Sequence, residues 1–424
     1  MVLWGCISSL SYTDKLLSSK EMKVLLINKY HYLKGGAERA YFDMARILSE
    51  HGHEVAFFSM HHQNNVPTKW STYFVSNKEY LDEKISFFKK LGLSLGIIFS
   101  LEAQRNLERL LKEWKPDVAH AHNIYHQLSP SIFSTLKKYK VPTVMTLHDY
   151  KLLSPNYSLF VRGKIWEHTS GTRCITDRAV KDSYMKSFVC ALEKWWNDTL
   201  GSYRKVDAFV SPSRFLIEKF HSLGFQQPIE YLPNSLPSAP ASLGLQRVPG
   251  EYLFFGRLSA EKGVETVLRA LELLPEEKKL MIAGDGPEKE FLFSLAEELG
   301  IRKRVTFLGT LSQAELEPYK QRAEAILLPS VWYENFPYTM IESLQSGCVV
   351  IASDQGGFRE RIKNGENGFL FEAGNALALA NVLRSLDGQN LNEIRKKATE
   401  SVADLDEQTF YTKLLALYEH LLKQ

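Results

Sequence analysis

From Lys23 to Asn28 the chain reads KVLLIN, an unbroken apolar run of the kind expected for a parallel strand buried on both faces. Residues Ala37 to His51 then carry apolar positions at helical spacing, and His53 to Ser59 returns to strand character. The alternation continues through DVAHAH (Asp117 to His122), PTVMTLH (Pro142 to His148) and a strand from Asp207 to Ser211. Between Leu232 and Gly250 the chain turns rich in Pro, Ser and Gly and poor in charge, which is the composition of a linker. Beyond it the pattern restarts with EYLFFG, a helix from Val264 to Leu274, and then KLMIAG, RVTFLG, AILLPS and CVVIAS. Strands alternating with helices predict parallel sheets covered on both faces. The chain is therefore read as two doubly wound α/β domains facing across a cleft, 22–235 and 236–404. An amphipathic helix in 405–424 is expected to pack back across their junction. In such sheets ligands bind beyond the carboxyl ends of the strands, so the residues just after each strand carry the chemistry.

Composition narrows the partners. With 424 residues, 44% hydrophobic and 24% charged, the chain has the make-up of a globular protein with sizeable cores. The net charge of +3 gives no support to a nucleic-acid partner, and Lys89-Lys90 and Lys137-Lys138 read as solvated helix ends. Cys6, Cys174, Cys190 and Cys348 form no CxxC pair, so neither a disulfide framework nor a zinc ribbon is indicated and a reducing cytoplasm is expected. No run reaches the ~20 apolar residues of a membrane span. Residues 1–20 lack the pattern of a secretory signal, and Met22, directly before the first strand, reads as the start of translation.

In the second half, EYLFFG runs into Arg257, with Glu261-Lys262-Gly263 following. A guanidinium fork and an ammonium at a strand end can bracket a diphosphate. AILLPS leads into Ser330 to Pro337 and then a helix containing Glu342. Asn335 is expected to cap that helix and Pro337 to open it, leaving free N–H groups and a positive dipole end for phosphate oxygens. Glu334 before the helix and Glu342 within it can face a sugar and a ribose. The segment PSVWYENFPYTMIESLQSGCVVIASDQGG, with GRLSAEKG and the earlier GGAE, resembles the retaining glycosyltransferase family 4. That resemblance, covering nearly the whole chain from Met22, implies a GT-B fold of two Rossmann-like domains. It also implies a UDP- or GDP-sugar donor as substrate, with no metal and no other cofactor. It assigns the donor diphosphate to Arg257 and Lys262, the sugar to Glu334 and the ribose to Glu342. Amides near Phe336 and Tyr338 complete the phosphate cradle, and the loop from Gly309 matches the base-contacting region. Asp285-Gly286 also matches, and reads as a structural turn.

In the first half, Gly35-Gly36 follows the first strand, and the family's glycine loop implies a role for it at the phosphates or acceptor; glycine permits close backbone approach or positive φ. His120 and His122 share one face of a strand end, and His148-Asp149 ends the next. A metal reading of these residues with His126 is set aside, because Arg257 and Lys262 already serve the phosphates. The resemblance favours His122 beside the donor sugar or acceptor hydroxyl; His120 is open between core and site, and His148 is expected to line the cleft. The segment TLHDYKLLSPNY resembles a subgroup that carries Cys where Ser154 stands, so no metal or redox role is carried over. For the acceptor, a saccharide or lipid-linked saccharide is expected, as in surface polysaccharide assembly. Phe87-Phe88-Lys89-Lys90 would suit peripheral contact at the inner face of a membrane. A nucleotide-sugar epimerase and a catalytically silent binding subunit are the competing readings.

Overall fold

The computed structural model describes residues 21–77, 99–239 and 243–424. Phe87 to Lys90 lie outside these. Strands β1 (Lys23–Ile27), β2 (Glu54–Phe58), β3 (Val118–Ala121), β4 (Thr143–Thr146), a short hairpin β5 (Phe160–Val161) and β6 (Lys164–Ile165), β7 (Ala208–Ser211) and β8 (Ile229–Tyr231) make up the first half. All but the hairpin form one parallel sheet in the order β2-β1-β3-β4-β7-β8. The second sheet, also parallel, contains β9 (Val248–Phe255), β10 (Lys279–Ala283), β11 (Val305–Gly309), β12 (Ala323–Leu328), β13 (Val349–Ser353) and β14 (Phe369–Phe371) in the order β11-β10-β9-β12-β13-β14.

The apolar runs form strands buried on both faces. Leu25 and Ile27 pack into one layer of the first domain while Val24 and Leu26 pack into the other. Tyr252 and Phe254 divide from Leu253 and Phe255 in the same way. The sheet entered after the linker begins earlier than its apolar run suggested. Val248, Pro249 and Gly250 already belong to β9, because Gly250 at φ 78 sits beside Lys278 and its N–H donates to the buried Glu324 carboxylate.

The last helix, Glu407–Leu422, leaves the second half and lies on the first sheet. Phe410, Leu414 and Tyr418 join Val24, Val118 and Val144 in one core. Its departure lies beside the linker, where the Leu236 N–H donates to the Leu405 carbonyl. Polar bonds fix its register: Tyr411 to His53 at 2.9 Å and Tyr418 to His120 at 2.7 Å. Tyr418→Phe leaves one nitrogen of the fully buried His120 unpaired. It is expected to cost about 1–3 kcal/mol, read as a lower urea midpoint; an unmoved midpoint would remove this bond from the account.

Each sheet reverses direction of growth at one point: between β1 and β3 in the first, and between β9 and β12 in the second. At such a switch point the loops after neighbouring strands part to opposite faces and leave a crevice.

Candidate active site

At the second switch point β9 ends in Gly256-Arg257. Three neighbouring strands close on glycines whose backbones touch. The Gly256 N–H donates to the Ala283 carbonyl and the Gly284 N–H to that of Gly309. A Cβ on Gly284 would lie 1.8 Å from the Gly256 oxygen, so only glycine fits there. Gly309 sits at φ 71 in this rim. Arg257 stands exposed on it, with no ion pair among the described residues, and acts electrostatically on Tyr157 of the other half.

The loop after β9 crosses the end of β12 at Gly263, where φ is 66 and a Cβ would fall 2.2 Å from the Pro329 carbonyl oxygen. That crossing brings Lys262 over Glu334, Nζ to Oε1 at 2.5 Å, and the Ser330 hydroxyl donates to the same oxygen at 2.7 Å. Burial pushes the Glu334 carboxyl up, but the Lys262 ammonium and the hydrogen bonds outweigh it, and the group is held below its ordinary range. Beneath the loop lie Gly356 and Gly357. A Cβ on Gly357 would come within 1.6 Å of the Asn335 carbonyl oxygen, and the Gly357 N–H donates to the Glu334 backbone carbonyl at 2.7 Å. Gln355 braces the same loop through the Ser330 and Trp332 carbonyls.

Asn335 does not cap the helix. The helix runs Tyr338–Gln345, with Pro337 at its cap position and no side-chain cap. Asn335, two residues earlier, instead reaches across the cleft, donating to the His148 carbonyl and accepting from the Tyr150 hydroxyl. Phe336 and Tyr338 are buried, and the Tyr338 ring faces the first half. There Gly36 lies against it and the Arg39 guanidinium stacks over it at 4.2 Å. Arg39 also forms an ion pair with Glu342, which further accepts from Gln313. The first turns of helices Gly36–Glu50 and Tyr338–Gln345 thus meet, placing two positive dipole ends on one cleft. Gly35 and Gly36 take no positive φ, and a Cβ on either would meet only ordinary contacts. The conformational reason for glycine expected there is therefore not at work in this geometry.

At the first switch point the ends of β1 and β3 are laced together. The His122 N–H donates to the Ile27 carbonyl, and the Asn123 N–H to the Asn28 side chain. His122 is fully buried, shares a hydrogen bond of 2.9 Å with His148 and stacks on His120, while its Nε2 has no partner among the described residues. It lines a small cavity between the halves with Asp43, Thr146, Asn234, Tyr338 and Phe410. His120 is a core residue, bonded to Thr146 and Tyr418. Burial lowers His148 to about 4 and His122 well below the usual imidazole range, so both are neutral at pH 7.

Among the described residues, His120, His122, His126, His148 and Asp149 do not come together as the metal cluster weighed from sequence. His126 stands apart from the stacked three, grouped with Cys190 and Glu193, whose ligand atoms lie within 4.8 Å of one another. Lys151 already supplies the cation there, 2.7 Å from the buried Glu193 carboxylate, and the trio is read as a compensated ion pair. Cys174, Cys190 and Cys348 are buried free thiols.

Residues 34–238 match Glycosyltransferase Family 4 and residues 239–402 match Glycosyl transferases group 1. The chain belongs to the family-4 glycosyltransferases. Among relatives of this glycosyltransferase, an uncharacterised 42.6 kDa protein in the cps region of Klebsiella pneumoniae is 26% identical, over 80% of this chain and 87% of that one. The phosphatidyl-myo-inositol mannosyltransferase of Mycobacterium leprae is 27% identical over 69% and 78%. The crystal structure of Anabaena HepE with UDP and glucose superposes with a TM-score of 0.65 at 18% identity, covering 94% of this chain and all of the other. The fold is GT-B, as the sequence motifs implied.

Arg39, Tyr150, Gln355, Gly356 and Gly357 were not singled out from sequence. The last three stood in the motif quoted for the resemblance, and the GGAE segment stops one residue short of Arg39.

Proposed function

We propose that this glycosyltransferase moves a sugar with retention from a UDP- or GDP-sugar to a saccharide or lipid-linked acceptor, without a metal ion, in surface polysaccharide or glycoconjugate assembly. The observation that carries the reading is the meeting of Arg257, the Lys262–Glu334 pair and two helix amino ends at paired switch points, opposite His122 and His148. The cations and N–H groups hold the donor diphosphate. Glu334 contacts the sugar, and Glu342 exchanges Arg39 for the ribose hydroxyls. Gly309 lies toward the base, and Gly35-Gly36 toward the phosphates or acceptor.

In the transfer the bond between the anomeric carbon and the diphosphate oxygen breaks as the acceptor oxygen attacks the same face. The acceptor proton passes to the departing phosphate oxygen. The protein contributes positioning and stabilisation of the leaving charge, both recognised sources of rate. A glycosidase-type nucleophile would need a carboxylate free to attack. Glu334 is instead held by Lys262 and Ser330. The relative solved with UDP and glucose makes UDP-glucose the first donor to try. Nucleotide sugars place the reaction in the cytoplasm, at the inner face of the membrane if the acceptor is lipid-linked.

A donor panel tests this. Acceptor-dependent release of UDP or GDP in the presence of chelator, with the anomeric configuration kept in the product, is the expected result. Interconversion of the free donor sugar would make the protein an epimerase, and tight donor binding without turnover a silent subunit.

A further inference from the structure

Helix Tyr184–Thr199 is built inside out. Its inward face carries Ser187, Cys190, Glu193 and Asn197, all buried. Glu193 pairs with Lys151, whose N–H donates to the Asp149 side chain beside His148, and the Ser187 hydroxyl accepts from the Val180 N–H. Its outward face carries Tyr184 at 62% exposure, Met185 at 52%, Phe188 at 48%, Trp195 at 59% and Trp196 at 38%, with Leu200 at 47% just beyond the helix. At about 100° per residue these helical positions fall on one stripe, roughly a third of the circumference wide. Water would place the polar residues outside and the rings inside, and here buried ion pairing has taken the inner face. An aromatic surface of this kind marks a contact with something apolar.

The charges around the stripe indicate what that is. The carboxylates nearest in sequence are already engaged: Asp182 with Arg162 and Arg178, and Asp198 with Lys194. Arg173, Lys181 and Lys186 have no carboxylate within 4.0 Å among the described residues. Arg173 lies on helix Gly171–Thr176, which packs closely on this one because Gly171 meets Ala191. Lys181 and Lys186 bracket Tyr184 in sequence, the Arg178 guanidinium lies 5.5 Å from the Tyr184 ring, and Trp and Tyr favour the boundary between hydrocarbon and water.

We propose that this face rests on an anionic lipid bilayer. The stripe enters the headgroup layer, and Arg173, Lys181 and Lys186 meet lipid phosphates. The surface is independent of the sugar-transfer reading, and its test needs no turnover. The full chain is sedimented with vesicles of phosphatidylcholine alone or with roughly one-third phosphatidylglycerol. Binding to the anionic vesicles, weakened by salt, is expected. The triple change Tyr184→Ser, Met185→Ser, Trp195→Ser should lower partitioning about tenfold or more, with the melting temperature held, since all three residues are more than half exposed. Lys181→Glu with Lys186→Glu should lower it on anionic vesicles. Brominated acyl chains should quench the unaltered protein more than Trp195→Phe with Trp196→Phe. No binding, or equal binding by the triple variant, overturns the proposal. So does a dimer in light scattering that the triple change turns into monomer, which would assign the face to a second copy of the chain.

Discussion

Arg257→Ala is expected to lower turnover by about 10²–10³-fold with the melting temperature unmoved. The side chain is exposed at the end of β9 and makes no ion pair among the described residues, so removing it takes nothing from the fold. It does remove a donor fork from the place where the leaving diphosphate gathers charge. Lys262→Ala is expected to cost a similar factor, with a second effect. Glu334, 8% exposed at its side chain, would lose its counter-charge and keep only hydrogen bonds. Stability should therefore fall by about 1–3 kcal/mol. Adding Glu334→Gln should recover stability without recovering turnover. Steady-state rates with a saturating donor and a urea titration separate the two effects. Turnover within about threefold of the unaltered enzyme in both single variants would sink the assignment.

Between pH 7 and pH 5 the protein should lose several kcal/mol of stability. His31 and His120 are held at about 4 and about 3 by burial, and His122 lies well below the usual range. In the unfolded chain each takes up a proton near pH 6.5, while the folded state resists protonation. The unfolded state therefore binds more protons over this interval. Stability is fully present above pH 6.5 and is lost as the pH falls toward the folded values. Each of the three costs on the order of 2 kcal/mol at pH 5, and His126 and His148, lowered to about 4, act in the same sense. Asp149 opposes them: burial raises it to about 6, so its protonation at lower pH favours the folded state and offsets part of the loss. A total stability of about 5–15 kcal/mol leaves little margin. A urea midpoint at pH 5 equal to that at pH 7 would show that these imidazoles are solvated.

Particular residues show what could be read before the fold was known. A strand covered on both faces has to be apolar along its whole length, so KVLLIN, EYLFFG and AILLPS declared themselves. The residues that follow such strands fall at the crevice, which is why His122, Arg257 and Glu334 could be named from position. The linker's end and the start of the Glu342 helix were misjudged by a few residues. Pro, Gly and Asn carry turn signals wherever they stand, and β9 and the cleft use them differently.

The sequence by itself determined the two sheets, the family and the ends of the strands where charge gathers, because these follow from local apolar periodicity and contiguous motifs. Only the tertiary structure decided the long-range pairings: Arg39 with Glu342 and Asn335 with His148 and Tyr150 across the cleft, and Tyr418 with His120 beneath the first sheet. Between 185 and 298 residues separate the latter two sets, and no local pattern carries information over that distance. The same holds for helix Tyr184–Thr199. Its periodicity shows an aromatic stripe, yet which face turns inward was decided by Lys151, a buried cation from another segment that Glu193 had to meet.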